Sequence, residues 1–420
     1  MNTVMETSPP TALAVEAHSA QAGGPFSKPA FRLFVSGQAA TMLGTQVFAV
    51  TLTWLLLQIT GSGVALGSVL VAAAVPRALF MLIGGAISDR STPWKLLFRT
   101  VTINAVLMSV MAALLGFDAL TLPPMYLLAI VYGLTDAFLF PAMYSALPRL
   151  VRPDELARAK AFSSTTETVT NILGPAGGGF LIGLVGLPVT FVIILGLYTL
   201  GALCFAQLRR FPEAFTTAAA ESGHLGDQVR EGLTYAWSHP IIRLNLLIIA
   251  AINFAILGPI VVGTAALVET RFGNDASTYG LMLAAFAVGA LPGAVLAGSI
   301  KRKLSPALML ALMAFSLALG LIAVAFAPSG LIAGIIYGLT GVGVGFGSVI
   351  AVTWLQQNTP MNMQGRVTSL LMFAAIALDP FSNAFAGFML DVSLTGLFLV
   401  AGFMMFGIGL LAFSQRNKTA

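Results

Sequence analysis

The sequence predicts an all-α membrane protein of twelve transmembrane helices in two pseudo-symmetric six-helix bundles. Three observations lead there: charge is scarce, long apolar runs alternate with short connectors, and the runs fall into two sets of six around a polar segment. Of 420 residues, 57% are hydrophobic and only 9% are charged. A soluble domain of ordinary composition carries about 25% charged residues. A chain of this size could not cover a water-facing surface with so few charges. Lipid removes that demand, because apolar side chains can then face outward.

About 20 apolar residues are needed to cross a ~30 Å hydrocarbon core. Runs of that kind lie near 31–58, 63–88, 95–116, 124–146, 158–184 and 188–208. Six more follow near 241–268, 277–300, 305–326, 331–355, 367–390 and 394–414. The connectors carry turn chemistry: TGSG at 60–63, LPP at 122–124, GLP at 186–188 and APSG at 327–330. The expected organisation is therefore an N-terminal tail at 1–30, bundles at 31–208 and 241–414, a linker at 209–240 and a tail at 415–420. Residues 1–30 are rich in Ala, Gly, Pro and Ser, with no basic start leading into an apolar core. They read as a disordered cytoplasmic tail rather than a cleaved signal peptide, and the first helix then serves as an uncleaved anchor.

Orientation follows from the cations. With the N-terminus in the cytoplasm, the 21 Lys and Arg sort almost entirely to one side. Only Arg271 falls outside and only Arg77 falls within a span. That asymmetry supports an even number of crossings with both termini cytoplasmic, in the inner (plasma) membrane. It also accounts for the net charge of +5 without a nucleic-acid partner. Within the linker, DQVREGLTYAWSHPIIR (227–243) sets Leu233, Ala236 and Trp237 at helical spacing. It reads as an amphipathic helix on the inner leaflet, the plainer alternative being a linker with one aromatic anchor.

The halves echo each other. A shift of 213 residues pairs Gly67 with Gly280, Gly85 with Gly298, Ile87 with Ile300 and Pro93 with Pro306; a shift of 208 pairs Arg158 with Arg366 and Gly179 with Gly387. Internal repeats of this kind are the architecture of secondary transporters, with a site near the midplane between halves that rock.

Several chemistries are excluded. The single cysteine, Cys204, permits no disulfide within the chain and no thiolate metal cluster. His18, His224 and His239 are far apart in polar segments, so no metal site and no cofactor is expected. There is no HExxH, no GxSxG and no paired histidine, so no catalytic residues are assigned and no enzyme is expected. A GxxxxGK[ST] phosphate loop is also missing, which argues against ATP-driven transport by this chain.

After span two the chain reads Gly85-Ala-Ile-Ser-Asp89-Arg90-Ser-Thr92-Pro-Trp94-Lys95. This resembles the loop 2–3 signature of the major facilitator superfamily, with Thr92 where the family usually has Gly and Trp94 where it often has a basic residue. The resemblance implies a cytoplasmic gate formed by Gly85, Asp89, Arg90 and Lys95, with the carboxylate near the start of span eleven. A carboxylate at a helix N-terminus gains roughly 0.3–1 kcal/mol, and Arg366 supplies a cation there. In the second half Arg302 replaces the Asp, so this gate is one-sided. In span five, Gly174-Pro175-x-x-Gly178-Gly179 is similar to the antiporter motif of the superfamily's exporters, with Thr170 where that motif often begins with Gly. Pro175 breaks a helical hydrogen bond and the glycines admit a close neighbour. FRLFVSGQAATMLGTQ (31–46), PDELARAKAFSS (153–164) and QGRVTSLLMFAAIALDP (364–380) carry a likeness to the siderophore and macrolide exporters. The superfamily resemblance covers about 30–414 and implies the major facilitator fold.

Four ionisable residues fall inside spans: Arg77, Asp136, Glu167 and Asp379. Each costs at least ~2.5–3.5 kcal/mol at the bilayer centre, so each should face the interior, pair or protonate. Arg77 and Asp136 lie at mid-depth in spans two and four, either as a structural lock or as a coupled pair that opens. Glu167, Asn171, Gly174 and Gly178 share one helix face by spacing. Glu167 and Asp136 are the leading proton-carrying candidates, with Asp379 third. Gln38, Thr41 and Thr45 form a polar stripe in span one, lining a cavity with Asn171 or serving as polar packing between helices. The reading that follows is a monomeric proton-coupled exporter of a small organic molecule such as a drug or siderophore. Its partners are that solute, protons and the lipid bilayer. An importer of the same fold and a non-transporting receptor are the alternatives.

Overall fold

The computed structural model describes residues 24–215, 234, 237–299, 306–359, 370 and 378–414. Secondary structure there is helical throughout: α1 Pro29–Thr60, α2 Gly63–Arg90, α3 Pro93–Gly116, α4 Leu122–Leu150, α5 Leu156–Gln207, α6 Pro240–Gly258, α7 Thr264–Arg271, α8 Ala276–Ser299, α9 Pro306–Ala325, α10 Gly330–Gln357, α11 Asp379–Val392 and α12 Leu394–Ser414. A single π-helical turn, Pro259–Gly263, carries α6 into α7 so that the two form one span. Proline opens α1, α3, α6 and α9, where its missing N–H would have no helical partner in any case.

Among the described residues, ten segments are long and apolar enough to cross a membrane. One of them is α5, whose 52 residues would run about 78 Å if straight. It does not run straight. Gly186 takes φ 77°, ψ 172°, a conformation that leaves the helix. On the near side of the turn Ser163 and Gly178 pack on Gln38 and Val47 of α1, whereas on the far side Tyr198 and Phe205 pack on Gly44 and Gly37. The chain therefore reverses at Gly186, and α5 holds both the fifth and the sixth expected span. The eleventh lies partly outside the described residues, with α11 forming its described end. The protein is a multi-pass, all-α membrane protein.

Residues 1–23 of the expected tail at 1–30, most of the linker helix at 227–243, Lys301–Lys303, Arg366 and the tail at 415–420 lie outside the described residues; the rest of the first tail forms a 3-10 turn at Pro25–Ser27 and the start of α1. The start of the linker is described, as a 3-10 turn at Leu208–Arg210 and another at Pro212–Phe215.

α1 packs chiefly on α5, α2 on α4, and α3 on α4 and α5; α8 packs on α10, α9 on α10 and α12, and α6 on α11 and α12. The two sets meet along two seams, α2 with α11 and α5 with α8. Among the described residues, one end of the molecule carries all the left-handed turns, at Gly61, Asp118, Gly186, Gly273 and Asn274; we call it the turn face. Both α1 and α12 have their free ends on the opposite face.

Candidate functional site at the seam between the halves

The seams depend on missing side chains. A Cβ on Gly67 would fall 2.7 Å from Asn383 O and 3.1 Å from the Gly387 backbone; a Cβ on Gly387 would overlap Gly63 O. At the second seam a Cβ on Gly179 would overlap Ala276 O and sit 2.9 Å from Gly280, and one on Gly280 would overlap Pro175 O. Glycine is what lets these backbones touch. The two seams are copies. Moving α2 by 213 residues and α11 back by 208 turns the Gly63/Gly67–Asn383/Gly387 crossing into the Ala276/Gly280–Pro175/Gly179 crossing, contact for contact. Of the antiporter-like motif, Gly179 thus faces α8, whereas Gly174 and Gly178 face Gln46 and Val47 of α1.

About ten residues below Gly67, some 15 Å along α2, stands Arg77, after Pro76 has interrupted the helix hydrogen bonding. Its Nη2 donates to Asp379 Oδ2 at 2.7 Å and its Nη1 to Asp136 Oδ2 at 3.5 Å. Asp379 is the first residue of α11, where the helix N-terminus favours a carboxylate. One cation thus serves two carboxylates, one from its own half and one from the other. Asp136 is 3% exposed, Asp379 9% and Arg77 33%. Asp136 Oδ1 and Arg77 Nε are buried without a hydrogen-bond partner. The group carries one positive charge against two negative, so neutralising either acid relieves an excess that burial makes costly.

The equivalent place in the other seam is neutral. The 213 and 208 shifts carry Arg77, Asp136 and Asp379 onto Ala290, Val344 and Asn171. Asn171 is hydrogen-bonded by Gln46 Nε2 of α1, on an exposed face. Gln46, Asn171, Arg77 and Asp379 each lie 13–16 residues from the turn face, at one depth. Gly258 stands where a carboxamide equivalent to Gln46 would reach α11; it has no side chain, and its N–H donates to Ser382 Oγ at 2.7 Å.

Glu167 is half-buried and accepts from Gln38 Nε2 at 3.3 Å; Gln38 and Ser163 exchange hydrogen bonds at 2.8 and 3.1 Å. Gln38 and Thr41 are fully buried, Thr41 Oγ1 against Gly201, so this part of the stripe is packed between helices rather than open to a cavity. Thr45 Oγ1 lies 3.1 Å from Tyr198 Oη, itself 3.5 Å from Tyr132 Oη, one turn from Asp136. In the gate motif, Gly85, Asp89 and Arg90 end α2, and Lys95 is exposed on α3 with its Nζ 5.8 Å from the Trp94 ring. Sequence reasoning did not bring Arg77 to Asp379, and it missed Gln46 altogether. The signal for Gln46 was present: a carboxamide inside an apolar span, which packs against Gly174 and reaches Asn171, three residues earlier on α5.

Charged groups at mid-depth on the seam of a polytopic helical frame are the features of a membrane transporter. The sequence profile of the Major Facilitator Superfamily matches residues 34–378, and the chain belongs to that family. It is 25% identical to the multidrug efflux pump Tap of Mycolicibacterium fortuitum, over 88% of this chain and 91% of that one. It is 25% identical to the enterobactin exporter EntS of Salmonella typhi, over 73% and 72%. It is 26% identical to the MFS-type transporter y4rN of Sinorhizobium fredii, over 89% and 91%. The crystal structure of the peptide transporter POT in complex with sulfate shares its fold, with a TM-score of 0.75, 12% identity and 93% and 95% of the chains covered.

Proposed function

We propose that this transporter is a proton-coupled exporter of a small organic molecule, working by alternating access. The observation that carries the reading is the shared cation: Arg77 is bound by Asp136 within its half and by Asp379 across the seam. A proton on either acid changes how strongly the halves are held together. Protons entering down their gradient can therefore bias the exchange between conformations. Each pH unit supplies about 1.4 kcal/mol per proton and each 100 mV about 2.3 kcal/mol per charge. Glu167, beside the glycine-lined contact of α1 with α5, is a second place for the proton. Tap is a multidrug efflux pump and EntS an enterobactin exporter, which supports the outward direction.

The same reading takes twelve crossings in two bundles, 31–208 and 241–414, in the inner membrane, with the turn face outside and both termini cytoplasmic. Gly85, Asp89, Arg90, Lys95 and Arg366 form its cytoplasmic gate, Gly174, Pro175, Gly178 and Gly179 the opposing seal, and Gln38, Thr41, Thr45 and Asn171 the polar face of the first bundle. The transporter acts as a monomer. Accumulation of fluorescent solutes in cells with and without the chain tests the direction. Lower accumulation in expressing cells, abolished by an uncoupler, is expected. Higher accumulation that the uncoupler collapses means import.

A further inference from the structure

The two seams share their backbone geometry and differ in what else crosses them. At α2–α11 the contact is held at both ends by charge. At the turn face Asp391, at the end of α11, reaches over to the other half: its Oδ1 accepts from Gly63 N at 2.7 Å and its Oδ2 from Ser62 Oγ at 3.3 Å. Ser62 in turn accepts from Ala65 N at 3.3 Å. The N-terminus of α2 is therefore capped by a carboxylate from the opposite half. At mid-depth the same pair of helices is joined again by Arg77 and Asp379.

At α5–α8 the corresponding cap is internal. Asp275 Oδ1 accepts from Ser277 N at 3.0 Å and its Oδ2 from Thr278 N at 3.1 Å, all at the start of α8 itself. Gly183 stands where Asp391 stands in the other seam, and Asn171 and Ala290 stand where Asp379 and Arg77 stand. Among the described residues, what crosses is uncharged: glycine backbone, a 3.5 Å contact of Ser277 Oγ with Gly179 O, a hydroxyl pair of Thr53 of α1 with Tyr279 of α8, and the stack of buried Trp54 of α1 on buried Tyr279 at 6.0 Å.

We propose that the seams divide the work of opening: α2–α11 is a latch and α5–α8 is a pivot. The physical reason is directionality. Smooth apolar and glycine surfaces can roll on each other with little change in contact energy. An ion pair and a carboxylate cap hold one geometry and lose their energy over one or two ångströms, leaving a charge without its partner. When the halves part at the turn face, the latch releases and the pivot stays in contact. Asp391 is on this account a positioning residue for the transport cycle. The inference rests on alternating access, and it depends on neither the direction of transport nor the coupling ion.

The test uses full-length protein in liposomes, with Cys204→Ser and nitroxide labels on introduced cysteines. One pair, at Val64 and Val392, reads the latch; the other, at Leu184 and Leu281, reads the pivot; all four side chains are exposed. Pulsed electron spin resonance gives both distances. Asp391→Asn and, separately, Asp379→Asn should lengthen or broaden the latch distance by several ångströms and leave the pivot distance unchanged. Asp275→Asn, which touches only the internal cap, should move neither. Equal lengthening of both pairs, or no change at the latch in either variant, overturns the proposal. Transport direction, read from the accumulation assay, can fail without affecting these distances.

Discussion

The two halves share one backbone plan and fill it differently. In both, a glycine of one helix lies on a carbonyl of its neighbour at the same place: Gly133 on Ala73 O in the first half, Gly341 on Phe286 O in the second. One turn beyond, the first half has Asp136 and the second has Val344. Around Asp136 lie Arg77, Asn104, Tyr132 and Thr135; Thr135 Oγ1 donates to Asn104 Oδ1 at 2.5 Å. The corresponding positions of Arg77 and Asp379 in the second seam are Ala290 and Asn171. Fold symmetry requires only small residues at the crossings. The charges are added at one seam, and a charge in lipid is retained where it has work to do.

The largest effect should come from breaking that contrast at its centre. Arg77→Met leaves two buried acids without a cation. Breaking a buried pair costs about 3–5 kcal/mol, and the lower end applies because Arg77 is partly exposed. We expect loss of transport and a strong fall in folded yield, the latter read by size-exclusion chromatography in detergent. Val344→Ala, at the place in the second half that Asp136 holds in the first, should cost no more than about 1–2 kcal/mol and keep transport. Equal damage from both would mean that the charged side has no special role.

Next come the acids themselves. Asp136→Asn and Glu167→Gln remove a titrating group and keep shape. At least one should abolish transport driven by a pH gradient in liposomes while expression stays near that of the parent. If both transport normally, the proton is carried elsewhere, and Asp379 becomes the first place to look.

How much of this was legible in the sequence depends on how local the signal is. Membrane crossing was legible because lipid imposes one rule on every span. The echo was legible too, and the structure gives it a meaning: Gly67 and Gly280 occupy equivalent places, as do Gly179 and Gly387, and each of the first pair lies against one of the second. Arg77 with Asp136 was expected because both lie at mid-depth in spans of one half. Arg77 with Asp379, 302 residues apart, was not. No periodicity links them, and only the packing of α2 on α11 brings them together. Asp391 was invisible for the same reason, since its cap lies on another helix. Gln38 and Thr41 share a helix face, as the spacing said, but spacing cannot tell an open cavity from a packed neighbour.

A smaller effect separates the glycines. Gly179→Ala places a methyl on the Ala276 carbonyl, which cannot yield without moving α8. Gly177→Ala meets nothing within 4 Å and removes a helix-weakening residue, a gain of up to about 1 kcal/mol. Thermal unfolding in detergent should fall for the first and hold or rise for the second. A fall for both would place the effect in helix flexibility rather than in the seam.

The smallest effect concerns the internal cap of α8. Burial opposes ionisation of Asp275, but hydrogen bonds from the Thr278 hydroxyl and the Ser277 and Thr278 amides outweigh it and hold the carboxyl below the ordinary aspartate range. A carboxyl whose folded value is depressed contributes stability that is complete above its unfolded value and is lost as pH falls through the folded one. Asp275→Ala should therefore lower the unfolding midpoint at neutral pH by the equivalent of about 1 kcal/mol, an ordinary N-cap loss. The gap between variant and parent should close in acid, below the aspartate range. It should also be the same with the latch variants present, because this cap does not cross a seam. A gap that widens in acid, or that depends on Asp391, would tie the α8 cap to the contact between the halves and erase the distinction between the two seams.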